Sequence, residues 1–243
     1  MGAQWKQKWR EMAADKKGKV STKFVREIQI AAKLGGANPE YNARLFVAIE
    51  NAKRASVYKD TIERAIAKGA GLDGSASHVE DVVFEGFAPH RVPVIVECMT
   101  DNNKRTAPEI RVLFRAGSLG TKGSVGFMFN HVGLIEAHHA DAGIDLETAA
   151  LEAEADDVSP LTEDDVEELP AGHIAGRFLC AITQLDAVGK ALKAAGWVIT
   201  TSEMSYIPKD YPDLTEDQRE EVTAFLQALD EHADVHRVHA AIR

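Results

Sequence analysis

Apolar residues first recur at spacings of three and four. Val20, Phe24, Ile28, Ala31 and Ala32 fall on one face of a helix, and Gly35-Gly36 predicts its end, since glycine adopts the left-handed conformation without steric cost. Asn38-Pro39 reads as the N-cap and first position of a second helix with Leu45, Ile49 and Ala52 buried. Asp60, with Glu63 three residues on in a capping box, opens a third helix with Ile62, Ala65 and Ile66 inward. Three short helices predict a small bundle.

After a Gly/Ser-rich linker over 69–77 the period changes to that of strands. Strands are predicted at 82–87 and 92–99. Thr106-Ala107-Pro108-Glu109 then reads as a capping box for a helix carrying Ile110, Leu113 and Phe114. Gly123 to Phe129 reads as a returning strand. From Gly133 a β-α-β-β-α-β order follows: a strand at 134–137, a helix at 145–155 capped by Asp145, an edge strand at 166–169, a strand at 174–182, a helix at 184–195 and a strand at 198–206. That order is a ferredoxin-like split βαβ unit. A capping box at Thr215 and Gln218 opens a last helix, and the run Val235 to Ile242 is expected to return to the first sheet. The fold class is therefore α+β: an N-terminal three-helix domain followed by two α/β domains, the third inserted in the second. The predicted boundaries are 1–73 for a basic all-helical domain, 79–131 plus 204–243 for a middle α/β domain, and 132–203 for a ferredoxin-like domain.

Charge changes this picture. The net charge is −10, yet residues 1–68 hold 15 Lys+Arg against 7 Asp+Glu, whereas the remainder holds 13 against 31. A basic head on an acidic body suits phosphate contact by the head and contact with basic proteins by the body. The absence of a long apolar run and of a signal-peptide core predicts a cytoplasmic protein with no membrane contact. Cys98 and Cys180 lie in apolar runs and read as buried free thiols. Gly69, Gly71 and Gly74 match G-x-G-x-x-G but follow a helix and precede a strand, the reverse of a dinucleotide site. His232, His236 and His239 fall at helical spacing, and His138-His139 precede Asp141, but neither group completes a metal ligand set. The acids at 156–157 and 164–165 read as solvated surface. With no nucleophile elbow, Walker loop or HExxH, the expectation is a non-enzyme with no cofactor, metal or small-molecule substrate.

Three surfaces carry the candidate chemistry. The first is the head. Lys19, Lys23 and Arg26 share one helix face, Lys16, Lys17 and Lys33 extend it, and Lys53, Arg54, Lys59, Arg64 and Lys68 add charge from later helices. The second is the arm Trp5-Lys6-Gln7-Lys8-Trp9-Arg10, where Trp5 and Trp9 are stacking candidates and Lys6, Lys8 and Arg10 supply charge; packing of both Trp rings on the bundle is the alternative. The third is the anion-ready loop Asn102, Asn103, Lys104 and Arg105 at a helix start, which a structural turn explains equally well.

Several stretches together resemble the YebC/PmpR family of transcriptional regulators, which is related to a mitochondrial translational activator. They are Thr22 to Ile28, Gly35 to Leu45, Asp60 to Ile66, Glu85-Gly86-Phe87, Glu97 to Thr106 and Gly123 to Phe129. The resemblance implies one helical and two α/β domains and no known catalysis. The chain departs from the family at Gly2-Ala3-Gln4-Trp5-Lys6, at Val57-Tyr58 and in a shorter loop at 117–120. The function expected is a nucleic-acid-binding regulator of gene expression, in first place a DNA-binding transcriptional regulator. The alternatives are a ribosome-associated factor contacting rRNA or tRNA, and a protein-interaction module.

Overall fold

The computed structural model describes residues 17–72, 74, 78–162, 165–166 and 169–242, with side chains except at 17–20 and 43. These residues form two compact units, one of residues up to Asn130 together with the chain from Pro208, the other His131–Ile207.

The first unit begins with helices α1 (Lys17–Gly35), α2 (Ala43–Arg54) and α3 (Lys59–Gly69). Their core is the apolar set read from periodicity: Ile28, Ala31 and Ala32 pack with Leu45, Ala48, Ile49, Ala52, Ile62 and Ala65. A Cβ on Gly69 would collide with the Gln29 carbonyl oxygen, so the α1–α3 approach requires glycine there. The helix starts differ from expectation. Asn42, not Asn38, caps α2. Its side chain accepts from Leu45 N at 3.1 Å and donates to the Ala31 and Gly36 carbonyls at 2.8 and 2.9 Å, satisfying three backbone groups at once. Asn38 instead closes a separate turn. Helix α3 begins at Lys59, with Tyr58 as an N-cap that makes no side-chain bond, and Asp60 lies inside the first turn.

Strands β1 (Glu80–Phe87), β2 (Pro93–Thr100), β3 (Ser118–Leu119) and β8 (Val235–Ala240) form a sheet in the order β3-β1-β2-β8, all pairs antiparallel. The C-terminal run thus returns to the first sheet as expected. Helices α4 (Asn103–Leu113) and α7 (Glu216–Asp230) supply Ile110, Val222, Phe225, Leu226 and Leu229 to the buried set, and the Phe114 and Phe225 rings meet edge-on at 5.3 Å. The Thr215–Gln218 capping box is present. The box predicted at Thr106 is not: α4 starts at Asn103 under an Asn102 cap, Pro108 lies inside the helix, and Thr106 is fully buried. Nor do residues 123–128 form a strand. The Gly123, Val125 and Gly126 N–H groups point at the Glu85 carboxylate at 2.7, 2.9 and 2.8 Å, so they are not available to a ladder.

The second unit contains most of β4 (Phe129–His139) and β7 (Val198–Pro208), with α5 (Leu146–Glu152), β5 (Asp157–Leu161), β6 (Ile174–Cys180) and α6 (Leu185–Ala194). The order β5-β6-β4-β7 is that of a ferredoxin-like sheet. Asp145 caps α5 as predicted, though the helix ends at Glu152. The edge strand lies earlier than predicted, at Asp157–Leu161. Val166 sits in a bend where the Asp165 carboxylate accepts the Thr162 N–H and hydroxyl, while 167–168 fall outside the described residues. Ile135, Phe178, Val188, Leu192 and Trp197 are buried in this unit.

Candidate nucleic-acid interface

The head was expected to gather its cations on one exposed face; the structure divides them into two sets. Lys23 and Arg26 turn inward, onto the sheet of their own unit. Lys23 Nζ lies 3.2 Å from Asp230 Oδ1, and Arg26 donates to Asp234 Oδ1 at 3.0 Å and to the Ala233 and Met99 carbonyls at 2.9 and 3.2 Å. Lys33 donates to the Val79 carbonyl at 3.3 Å, and Arg44 pairs with Asp81 at 2.6 Å. The side chains of Lys23 and Arg26 are only 22% and 21% exposed. The physical reason is the unit's own carboxylates: Asp230 ends α7 and Asp234 precedes β8, on either side of the turn next to α1.

The second set faces outward. Lys53 and Lys59 are 61% and 87% exposed, and Arg54, Arg64 and Lys68 are also exposed. Lys53 pairs with Glu50, Lys59 with Glu63, and Arg64 donates to the Asp60 carbonyl. Exposed pairs of this kind contribute about 0–1 kcal/mol, so they yield readily to a phosphate. Between α2 and α3, Ser56 adopts φ +57 and Val57 N bonds the Ala52 carbonyl, a Schellman closure that tucks Val57 into the core. The next residue, Tyr58, is thrown outward at 83% exposure among Lys53, Arg54 and Lys59 in the sequence. Periodicity did not single it out; the signal was an aromatic following an apolar residue at a helix junction. Lys17 and Lys19 belong to α1, but their side chains, and all of Trp5, Lys6, Lys8, Trp9, Arg10 and Lys16, lie outside the described residues.

The anion-ready loop is exposed from Asn102 to Arg105. Two of its four side chains are already engaged: Asn102 accepts from Arg105 N, and Arg105 pairs with Asp234 at 2.7 Å and Asp101 at 3.3 Å. Asp234, 2% exposed, is a hub that sequence reasoning missed. Besides Arg26 and Arg105 it accepts from Thr106 Oγ1 at 2.7 Å. Burial pulls its pKa up, but the hydrogen bonds from Arg105 and Thr106, with the charges of Arg105 and Arg26, outweigh this and hold it below the usual aspartate value. No periodicity marks such a residue, because its partners Arg26, Arg105 and Thr106 come from two distant segments, α1 and α4.

A second buried charge cluster lies where a β-bulge shifts the β2–β8 register between Glu97 and Cys98. Glu27 of α1 lies 3.3 Å from Arg237 and 3.4 Å from His236, while Glu97 lies 3.1 Å from His239 and 3.9 Å from Arg237. Burial opposes ionisation of Glu97, but His239 and Arg237 win and lower its pKa to about 2. His236 and His239 are therefore strand residues beside carboxylates, and His232 lies in a turn bonded to Glu109. Glu109, His232 and Asp234 do place ligand atoms within 4.8 Å of one another. However, Asp234 already holds two guanidinium groups, which oppose a cation there. In the other unit, Glu136 and Arg177 form a buried cross-strand pair at 2.8 Å.

Comparison with known proteins divides the chain at the Gly/Ser-rich linker. A family model described as the TACO1/YebC protein N-terminal domain matches residues 3–72, and one described as the TACO1/YebC second and third domain matches 79–242. The chain belongs to the TACO1/YebC family. It is 50% identical over 243 residues to a "Probable transcriptional regulatory protein" of Polaromonas sp., covering 98% of each chain. It is 49% identical to a protein of the same name in Pseudomonas syringae pv. syringae, covering 100% of this chain and 99% of that one. The crystal structure of a conserved hypothetical protein of Aquifex aeolicus is similar at a TM-score of 0.80 and 35% identity, covering 93% of this chain and 90% of that one. In this TACO1/YebC chain, then, the N-terminal family segment contains both cation sets, and the second family segment contributes the carboxylates that hold one of them.

Proposed function

We propose that this protein is a non-catalytic, nucleic-acid-binding regulator of gene expression that contacts phosphates through the outward cations of its helical head. The observation that carries the reading is the outward set itself. Lys53, Arg54, Lys59, Arg64 and Lys68 are exposed on α2 and α3, and Lys53 and Lys59 pair with Glu50 and Glu63 of their own helices. The relatives' name favours DNA and transcription, with the acidic remainder meeting basic protein partners. The arm from Trp5 to Arg10 and the loop from Asn102 to Arg105 extend the proposed contact. No small-molecule substrate or cofactor enters it, and the cytoplasm is the compartment proposed. Among the described residues, no helix is long and apolar enough to cross a membrane.

One observation favours a second reading, a ribosome-associated factor contacting rRNA or tRNA. Tyr58, almost fully exposed beside cations, offers a stacking face to unpaired bases, which duplex DNA does not present. Both readings predict binding that falls steeply with salt. Duplex DNA and ribosomal subunits are compared as ligands at about 0.15 M salt. The variant is Lys53→Glu/Lys59→Glu/Lys68→Glu, which leaves Lys23 and Arg26 in place. Loss of binding to one polymer identifies the target. Binding by neither in the unmodified protein removes the proposal and leaves a protein-interaction module.

A further inference from the structure

The inward cations invite a different question: what replaces Asp230, Asp234 and Asp81 if the head leaves the sheet. Three observations bear on it. First, among the described residues the buried apolar cluster across the head–sheet contact is Ile30, Val79 and Met99, while the polar part includes Lys23–Asp230, Arg26–Asp234, Arg44–Asp81 and Arg237–Glu27. Second, the sheet side is self-sufficient. Without Arg26, Asp234 keeps Arg105 and Thr106 at 2.7 Å each, and without Glu27, Arg237 keeps Glu97. Opening the joint therefore strands no buried charge on the sheet, which is the usual reason an ion-paired interface stays shut. Third, the Asp230 and Asp81 side chains are 30% and 36% exposed, so a competing anion reaches these pairs from solvent.

We propose that Asp230, Asp234 and Asp81 act as a built-in phosphate mimic, clamping the head on the sheet until a polyphosphate chain displaces them from Lys23, Arg26 and Arg44. This rests on the nucleic-acid reading only for the identity of the natural ligand; the clamp itself responds to any flexible polyanion. The opposing forces are the backbone bonds from Arg26 and Lys33 and the apolar contact, so the closed form dominates without ligand. Release would join Lys23 and Arg26 to the outward set and enlarge the cationic surface.

The test uses the full chain, with donor and acceptor dyes at Leu34→Cys and Glu220→Cys, both exposed positions. The native Cys98 and Cys180 are buried, with thiol pKa values pushed up to about 12 and about 11, so they label slowly. Adding inorganic polyphosphate at about 0.05 M salt is expected to change the energy transfer. The Asp230→Asn/Asp81→Asn variant is expected to respond at roughly tenfold lower polyphosphate and to bind nucleic acid roughly tenfold more tightly, the gain from relieving two partly exposed pairs. An Ile30→Cys/Met99→Cys protein, cross-linked across the joint, should show no transfer change and weaker binding. Unchanged transfer at saturating polyphosphate, or equal affinity in the Asn variant, overturns the clamp. An unmodified protein that opens with polyphosphate yet binds no nucleic acid overturns the proposed function and leaves the clamp standing.

Discussion

Asp234 shows how one side chain organises several segments. It collects Arg26 from α1 and Arg105 and Thr106 from α4, and its own N–H bonds His232. Removing it takes the acceptor from Arg26, whose side chain is 21% exposed, and from the buried Thr106 hydroxyl, and losing such a partner costs about 1–3 kcal/mol. Asp234→Ala should therefore lower the urea midpoint far more than Arg26→Ala, which leaves the carboxylate satisfied; equal effects would show that the hub is not shared as described. Ser56 offers the opposite sign. It holds φ +57, which an L side chain adopts only at a cost, so Ser56→Gly should stabilise by about 1 kcal/mol in the same unfolding measurement. Neither residue stood out in the sequence, because each is defined by tertiary partners or backbone angle rather than by residue type.

At the scale of elements, helix interiors were legible, and helix starts only where the cap stayed local, as at Asp145 and Thr215. The apolar stripes of α1, α2 and α3 are the buried residues of the bundle, because a 3.6-residue period follows from helix geometry alone. Caps depend on which polar side chain the tertiary fold leaves near the first turn. Thr215 remains local and caps α7, and Thr215→Ala should cost about 1 kcal/mol in thermal unfolding. Thr106 looked identical in sequence, but Asp234 draws its hydroxyl into the interior, so Asn102 caps α4 instead. The α1–α3 crossing makes a further prediction. Gly69→Ala forces a methyl against the Gln29 carbonyl and should destabilise by about 1–3 kcal/mol, read as loss of helical circular dichroism at lower temperature.

At the scale of the molecule, charge asymmetry was read correctly as composition but not as a surface. The head is basic, yet part of that charge neutralises the unit's own carboxylates, so of the cations on α1 to α3 with described side chains the outward set composes the proposed interface. The same pairing sets the acid response. Glu27, Glu85, Glu97 and Asp234 all have pKa values lowered by folding, although burial alone would raise each one. A lowered carboxylate pKa contributes stability that is complete above the unfolded value and is lost as pH falls through the folded one. For Glu97 that window runs from the ordinary glutamate value of 4.5 down to about 2. Chemical denaturation from pH 6 to pH 2 should show stability falling through this range, with a shallower slope in Glu97→Gln. A slope unchanged by that substitution would remove Glu97 from the account.

The sequence by itself determined the periods, and with them the helical head, the α+β class, the β-α-β-β-α-β order of the second unit and the return of the last strand to the first sheet. These follow from local geometry and from burying one face of each element. Only the tertiary structure decided which cations remain outside and which caps form. Those outcomes depend on carboxylates and carbonyls that lie as far as 208 residues away in the chain, and electrostatic pairing acts through space without leaving a period in the sequence.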